Sequence, residues 1–268
     1  MRRFMLLFTL VPALLVGCGH AAAPAVPQAE DTGTVVAEDT GPGAPEPHPV
    51  ALVELFTSEG CSSCPPAEAL LAKMYVEGKA DVILLAFHVD YWDSSAWKDR
   101  FSSAAYSARQ RAYAKVWGKT SVYTPQMVVG GAFGFTGSDE AVARKRIDAA
   151  LAESRAVGLR IDSFKRNDDQ TLTVDYSVAS APAGAVMAGA VVERGLMTKP
   201  TGGELAGVTV KETNVVRGFV SAPIGGATGT LTIPTPTAVV DANASVVLYV
   251  QDPTSLVIAA GTTVALAP

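Results

Sequence analysis

Apolar positions follow two different rhythms along this chain. Between residues 50 and 156, short apolar runs alternate with stretches of helical spacing. Val50 to Thr57 and Val82 to Val89 are near-continuous apolar runs of strand length. Pro65 to Tyr75 reads as a helix, since prolines are tolerated in a first turn, where the amide protons have no intrahelical partner. Trp97, Phe101, Ala105, Ala108, Ala112 and Val116 recur at helical spacing and predict an amphipathic helix over Ala96 to Trp117. Gln126 to Val129 and Ala132 to Phe135 read as a hairpin turned at Gly130-Gly131. Ser138-Asp139-Glu140 caps a last helix reaching to about Ser154.

From Val157 the helical spacing stops. Short β-rich runs follow at Leu159 to Phe164, Leu172 to Ala179, Val186 to Glu193, Val208 to Val220, Gly229 to Ile233, Ser245 to Gln251 and Leu256 to Val264. Gly, Pro, Asn and Asp separate them, the pattern of a β-sandwich. The expected order in the first half, β-α-β-α-β-β-α, is that of thioredoxin. The expected fold class is an α/β thioredoxin-like domain over residues 50–156, followed by an all-β, sandwich-like domain over 157–268.

The first 49 residues have another character. Arg2 and Arg3 precede an apolar run from Phe4 to Val16, which is signal-peptide anatomy and too short for a membrane-spanning helix. Leu15-Val16-Gly17-Cys18 resembles a bacterial lipobox, which assigns residues 1–17 to the leader and makes Cys18 a lipidated first residue. The alternative is ordinary cleavage near Ala21 to Ala23, with Cys18 discarded. Either way the protein is expected outside the cytoplasm, on the periplasmic side of the cell envelope, held to the membrane by a lipid anchor in the first case. Residues 18–49, rich in Ala, Pro, Gly and acid, read as a disordered tether.

Composition narrows the functional classes. Hydrophobic residues make up 49% and charged residues 18%, enough for a substantial core. A net charge of −5 offers no electrostatic footprint for nucleic acid. With three cysteines, Cys18, Cys61 and Cys64, a disulfide-stapled framework is not the expectation.

The chemistry centres on Cys61-Ser62-Ser63-Cys64, placed between a strand and a helix. Cys61 at a helix N-terminus is expected as the nucleophile, because amide protons and the helix dipole stabilise a thiolate; Cys64, one turn on, is the resolving thiol. Thr124-Pro125 opens the strand expected to face the dithiol and resembles the cis-proline of thioredoxin folds, which shapes the substrate groove; the alternative is an ordinary trans proline at a strand entry, the default for an X–Pro bond. Glu54, in an apolar strand, is expected either beneath the dithiol as a proton relay or at a solvent-facing strand edge. His88 closes the second strand as a base, a ligand or a satisfied core histidine, and Tyr91 and Trp92 line a groove or pack in the core. Arg109 and Arg111 are expected on a solvated helix face.

The run from Val53 to Ala67 resembles the signature of a secreted, thioredoxin-like bacterial family, domain-of-unknown-function family 1223. His88-Val89-Asp90-Tyr91-Trp92-Asp93, Ala108 to Tyr113, Tyr123-Thr124-Pro125-Gln126 and Asn214-Val215-Val216-Arg217 resemble further motifs of that family. The resemblance implies a thioredoxin-like fold and a redox role, and names no substrate. Gly60 stands where thioredoxins carry tryptophan, which is expected to leave Cys61 more accessible.

The function these features favour is an exported thiol–disulfide oxidoreductase without a cofactor, whose partners are protein or small-molecule thiols and disulfides. The alternative is an envelope binding module in which the cysteine pair is a structural disulfide, or a copper or zinc site completed by His88 and Met127.

Overall fold

The structure is a computed structural model that describes residues 43–153 and 155–267. The expected leader, Cys18 and most of the expected tether lie outside those residues. Among the described residues no helix is long and apolar enough to cross a membrane.

β1 (Ala51–Thr57), α1 (Pro65–Glu77) and β2 (Val82–His88) form a crossover unit in which the two strands pair in parallel from Ala51↔Val82 to Thr57↔His88. α2 (Ala104–Val116) follows, then the antiparallel β3 (Gln126–Val129) and β4 (Phe133–Thr136), with β3 also antiparallel to β1. Gly130 and Gly131 make the β3–β4 turn with φ of 62° and 71°. A Cβ on Gly131 would lie 1.9 Å from the Leu256 carbonyl oxygen, so this turn takes glycine for its conformation and for its space. α3 (Glu140–Ala152) starts at Asp139, whose carboxylate accepts from the Val142 amide.

Beyond α3 the chain is β. β5 (Gly158–Arg166), β6 (Thr171–Ala179) and β7 (Val186–Glu193) lead to the short pair β8 (Leu196–Thr198) and β9 (Val210–Glu212), then β10 (Val215–Pro223), β11 (Thr228–Pro234), β12 (Ala244–Gln251) and β13 (Ile258–Ala265).

These strands do not form a separate domain beside an α/β one, and the expected fold class is corrected accordingly. The structure is mostly β, with three α-helices among the described residues, and its main sheet takes strands from both halves in the order β13-β12-β7-β10-β2-β1-β3-β4. The join is at β2, whose outer edge is taken by β10. Ala86 N donates to Asn214 O at 2.9 Å, Val215 pairs with Ala86, and Asn214 Nδ2 donates to Leu84 O at 3.1 Å. Asn214 has φ of 52°, which breaks the expected single strand Val208 to Val220 into β9 and β10. Paired in this way, the edge of β2 presents no free amides or carbonyls where Asn214 and Val215 meet it.

Three packed layers follow from the sheet. Val53, Leu55 and Met127 pack under α1 and α3 with Leu71, Met74 and Ile147. On the other face, Phe56, Phe87 and Tyr113 of the first half pack with Ala190, Val216 and Tyr249 of the second. The three-stranded sheet β11-β6-β5 covers β7 and β12 through Leu172, Val174, Ile233, Met187 and Leu248. The last residues of the expected tether join this body, since Pro47 bridges Gly158 and Gly43 O accepts from Arg160.

α2 differs from its expected extent and face. It begins at Ala104, after Ser103, whose hydroxyl accepts from the Ala105 amide. Its buried side chains are Tyr106, Ser107, Gln110, Tyr113 and Ala114, whereas Ala105, Ala108, Ala112 and Val116 are exposed.

Candidate functional site

β1 delivers Thr57 to a tight passage, Ser58-Glu59-Gly60, that ends at Cys61. Cys61 N donates to Ser58 O, Cys64 N to Cys61 O, and Ala67 N to Cys64 O at 3.2, 3.1 and 2.9 Å, so one turn runs into the next and then into α1. Cys64 is the helix N-cap, with Pro65 and Pro66 in the first turn, where they forfeit no helical hydrogen bond. The turn brings Cys61 and Cys64 to a Cα separation of 5.4 Å, and their sulfurs form a disulfide.

The groove residues gather on Cys61. Trp92 Nε1 donates to Thr124 Oγ1 at 2.7 Å, and the Thr124 hydroxyl donates to Cys61 Sγ at 3.2 Å. Ser63 Oγ lies 3.3 Å from the same sulfur. The Thr124-Pro125 bond is cis. Tyr91 supports this arm from behind: its hydroxyl donates to Gln110 Oε1, and Gln110 Nε2 donates to the Tyr123 carbonyl. Gly60 does not leave Cys61 open. Trp92 fills the place over the glycine, 3.2 Å from where a Cβ would be, and Cys61 and Cys64 are 0% and 1% exposed.

Behind the dithiol lies a buried titratable cluster. His88 Nδ1 bonds Asp99 Oδ2 at 2.7 Å, and the same oxygen accepts from the Glu59 amide at 2.8 Å. Glu68 of α1 accepts from Thr57 Oγ1 at 2.5 Å. Glu212 of β9 is a near neighbour of Glu59, whose carboxylate acts on it. Glu59, Glu68, His88, Asp99 and Glu212 are all 4% exposed or less. Burial opposes the charged form of His88, but the Asp99 carboxylate outweighs it, with Glu68 and Glu212 adding to the effect, and the imidazole is pushed up to about 9. Burial raises Glu68 above the usual carboxylate range and carries Glu212 up to about 8, helped by the charge of Glu59. His88 Nε2, Glu59 Oε1, Glu68 Oε2 and both Glu212 oxygens are buried with no hydrogen-bond partner. Among the described residues no three His, Cys, Asp or Glu side chains converge so as to hold a metal ion. His88 is committed to Asp99, and Met127 lies in the core under α1.

Glu54 belongs elsewhere. Its carboxylate accepts from Arg109 Nε at 2.6 Å and from the Tyr113 hydroxyl, in a network that reaches Gln251 of β12. It is fully buried rather than at a solvent edge, and its hydrogen-bond partners are not at the dithiol. Arg109 is likewise not on a solvated face, since its side chain is 10% exposed.

The family described as "Protein of unknown function (DUF1223)" matches residues 52–251, a span that holds the dithiol, Thr124-Pro125, His88 and Asn214. The chain belongs to this family. Its fold is similar to the crystal structure of protein AGR_C_4864 from Agrobacterium tumefaciens, with 27% identity over 82% of this chain and 95% of that one and a TM-score of 0.62. It is also similar in fold to HBP35 of Porphyromonas gingivalis, with 14% identity over 81% of this chain and 75% of that one and a TM-score of 0.59. Comparison with curated proteins gives no match.

The family's matched span therefore brings Cys61, Cys64, Trp92, Thr124 and Pro125 together, sets His88 one layer deeper, and leaves Glu54 in a separate network. Sequence reasoning missed Glu59, Glu68, Asp99 and Glu212. Glu59 and Glu68 flank the cysteine pair and were legible as acids beside the motif, whereas Asp99 and Glu212 carry no local signal because they arrive from a loop and a distant strand.

Proposed function

We propose that this protein is a thiol–disulfide oxidoreductase acting through Cys61 and Cys64. The observation that carries this reading is the disulfide at the start of α1, with the Thr124 hydroxyl directed at Cys61 Sγ. A hydroxyl donor favours the thiolate over the thiol at that sulfur. In the reduced protein the Cys61 thiolate attacks a partner disulfide, forms a mixed disulfide and releases one partner thiolate. Cys64 then attacks the Cys61 sulfur, releases the second partner thiolate and closes the ring. Two electrons pass from the dithiol to the partner, and the released thiolates take up protons.

Burial of both sulfurs favours a second reading, an inert staple. Against it stands the size of the ring. A disulfide across so short a span removes only about 2 kcal/mol of chain entropy, against roughly 5 for a ~100-residue loop. The turn is already held by its own backbone hydrogen bonds, which leaves a staple little to do.

The test is insulin reduction with dithiothreitol as electron donor. We expect turnover by the wild type and none by Cys61→Ser, with Cys64→Ser trapped as a mixed disulfide. Full activity in Cys61→Ser overturns the proposal, and a reduction potential far below about −300 mV supports the staple. The exported, lipid-anchored location stays part of this proposal. It is supported by Leu15-Val16-Gly17-Cys18 and is checked by loss of membrane association in Cys18→Ala.

A further inference from the structure

Between β7 and β10, which are neighbours in the main sheet, the chain leaves the sheet for residues 194–214. This excursion contains the small β8–β9 ladder and meets the dithiol loop at Ser62. Its tip holds the cysteine turn directly, because Glu204 Oε2 accepts from the Ser62 amide at 3.0 Å. Gly202 lies against the Ala96 carbonyl so closely that a Cβ would stand 1.9 Å from the oxygen, and Met197 O accepts from Arg100 at 2.9 Å. Gly195, Gly203 and Gly207 all have φ between 72° and 78°, a conformation open to glycine at no steric cost. The inner end of the excursion is Glu212, buried against Glu59 of the dithiol loop.

Two neighbouring carboxylates attract only if one of them holds a proton; if both are ionised and buried they repel. The groups facing Glu212 offset a second negative charge only in part, because burial and the charge of Glu59 raise its carboxyl by more than the His88 cation lowers it. Glu59 and Glu68 are acids from the dithiol loop and α1, and the His88 cation of β2 is engaged by Asp99. Arg100 approaches Glu59 only to 3.8 Å, and the Trp97 indole donates to its other oxygen. Lys211, next to Glu212 on β9, is exposed.

We propose that residues 194–214 are a lid over the Cys61–Cys64 disulfide, latched by one proton shared between Glu212 of the lid and Glu59 of the dithiol loop, and that loss of this proton opens the dithiol to partner thiols. The inference deepens the exchange reading and rests on it for its biological meaning. It accounts for two sulfurs that are sealed in a site built for exchange. It also gives a partner to the buried oxygens of Glu212 and to Glu59 Oε1, which otherwise have none. The Glu212 carboxyl, carried up to about 8, holds its proton in the closed state at neutral pH.

The test is the rate at which dithiothreitol reduces the disulfide in the full chain between pH 5 and pH 9, for the wild type, Glu212→Gln and Glu204→Ala. Glutamine at 212 bonds Glu59 without a titrating proton. The ratio of the wild-type rate to the Glu212→Gln rate cancels the titration of the reductant itself. We expect that ratio to rise with pH by up to tenfold per unit, the limit for one proton, and to level off near pH 8. Glu204→Ala, which frees the tip from Ser62, is expected to be reduced faster at every pH while keeping the wild-type pH dependence. A flat ratio, or a Glu204→Ala rate equal to that of the wild type, overturns the lid. If Glu212→Gln does not fold, Glu59→Gln takes its place with the same expected flattening and the same overturning result. Reduction by dithiothreitol reads access alone. A pH-gated disulfide in a protein that fails the insulin assay therefore keeps the lid and discards the enzyme, and an ungated but active one does the reverse.

Discussion

Arg109 has the most confined charge in the molecule's second polar network. Its guanidinium carbon lies 5.6, 5.2, 5.1 and 5.7 Å from the ring centres of Phe87, Tyr113, Phe219 and Tyr249, while Nε meets Glu54. The rings screen the pair from water, so neither charge has an alternative partner of equal quality. Removing one member leaves the other buried and uncompensated, which costs about 3–5 kcal/mol. Arg109→Ala is expected to lower the unfolding free energy in urea by that amount, and Glu54→Leu combined with Arg109→Met to recover most of it. A loss below about 1 kcal/mol in Arg109→Ala would show that Glu54 finds water. The prediction separates the two polar networks, because Arg109→Ala is expected to leave the dithiotreitol reduction rate of the folded protein unchanged.

Among the elements, β10 decides the architecture through two residues. Asn214 adopts a left-handed conformation that few residues other than glycine take easily, and its side chain completes the hydrogen bonding of β2 at Leu84 O. Asn214→Ala loses that bond and strains the backbone, an expected cost of about 1–3 kcal/mol in chemical denaturation. Asn214→Gly removes the strain and keeps only the lost hydrogen bond, so it is expected to be the milder of the two. The reverse order would show that the side chain serves some purpose other than the seam. Arg217 and Asp252, two other polar residues of the β-rich half, are likewise structural: Arg217 pairs with Glu193 and covers Phe101, and Asp252 accepts from the Thr254 and Ser255 amides. In α2 the stripe of small residues that suggested a buried face is exposed, and the buried face carries Tyr106, Gln110 and Tyr113. Both stripes have helical spacing, and alanine is compatible with either environment. The aromatic and amide positions were the informative ones, because each finds a specific partner: Gln110 Nε2 reaches Gln126 Oε1 at 2.9 Å.

For the whole molecule, the cluster behind the dithiol sets how stability follows pH. His88 is held near 9 in the folded protein against 6.5 for an ordinary histidine, so its contribution is complete below about pH 6.5 and is lost as pH climbs through 9. Glu212 runs in the same direction: its raised carboxyl favours the folded state below 4.5, and that advantage is lost by about pH 8. Asp99, held below its usual range with His88 beside it, acts oppositely and only at the acid end. The urea midpoint is therefore expected to fall steadily from pH 6 to pH 9, and Glu212→Gln to flatten the part of that fall below pH 8. A midpoint that rises over this interval would mean the cluster is hydrated. Because β2 and β10 share one sheet, both halves are expected to unfold in this single transition.

The sequence by itself determined the strands β1 and β2, the starts of α1 and α3, the cysteine turn and the nearness of Thr124-Pro125 to a strand end. Each of these depends on backbone preference, capping or hydrophobic period within a few residues, and such forces act locally. Only the tertiary structure decided that the two halves share a sheet, that Glu54 answers Arg109 rather than the dithiol, and that Glu212 meets Glu59. Those contacts join distant parts of the chain, as with the 130 residues between Asn214 and Leu84. They are selected by which strand edge and which buried charge still lack a partner once the layers have packed, and no local pattern encodes that remainder.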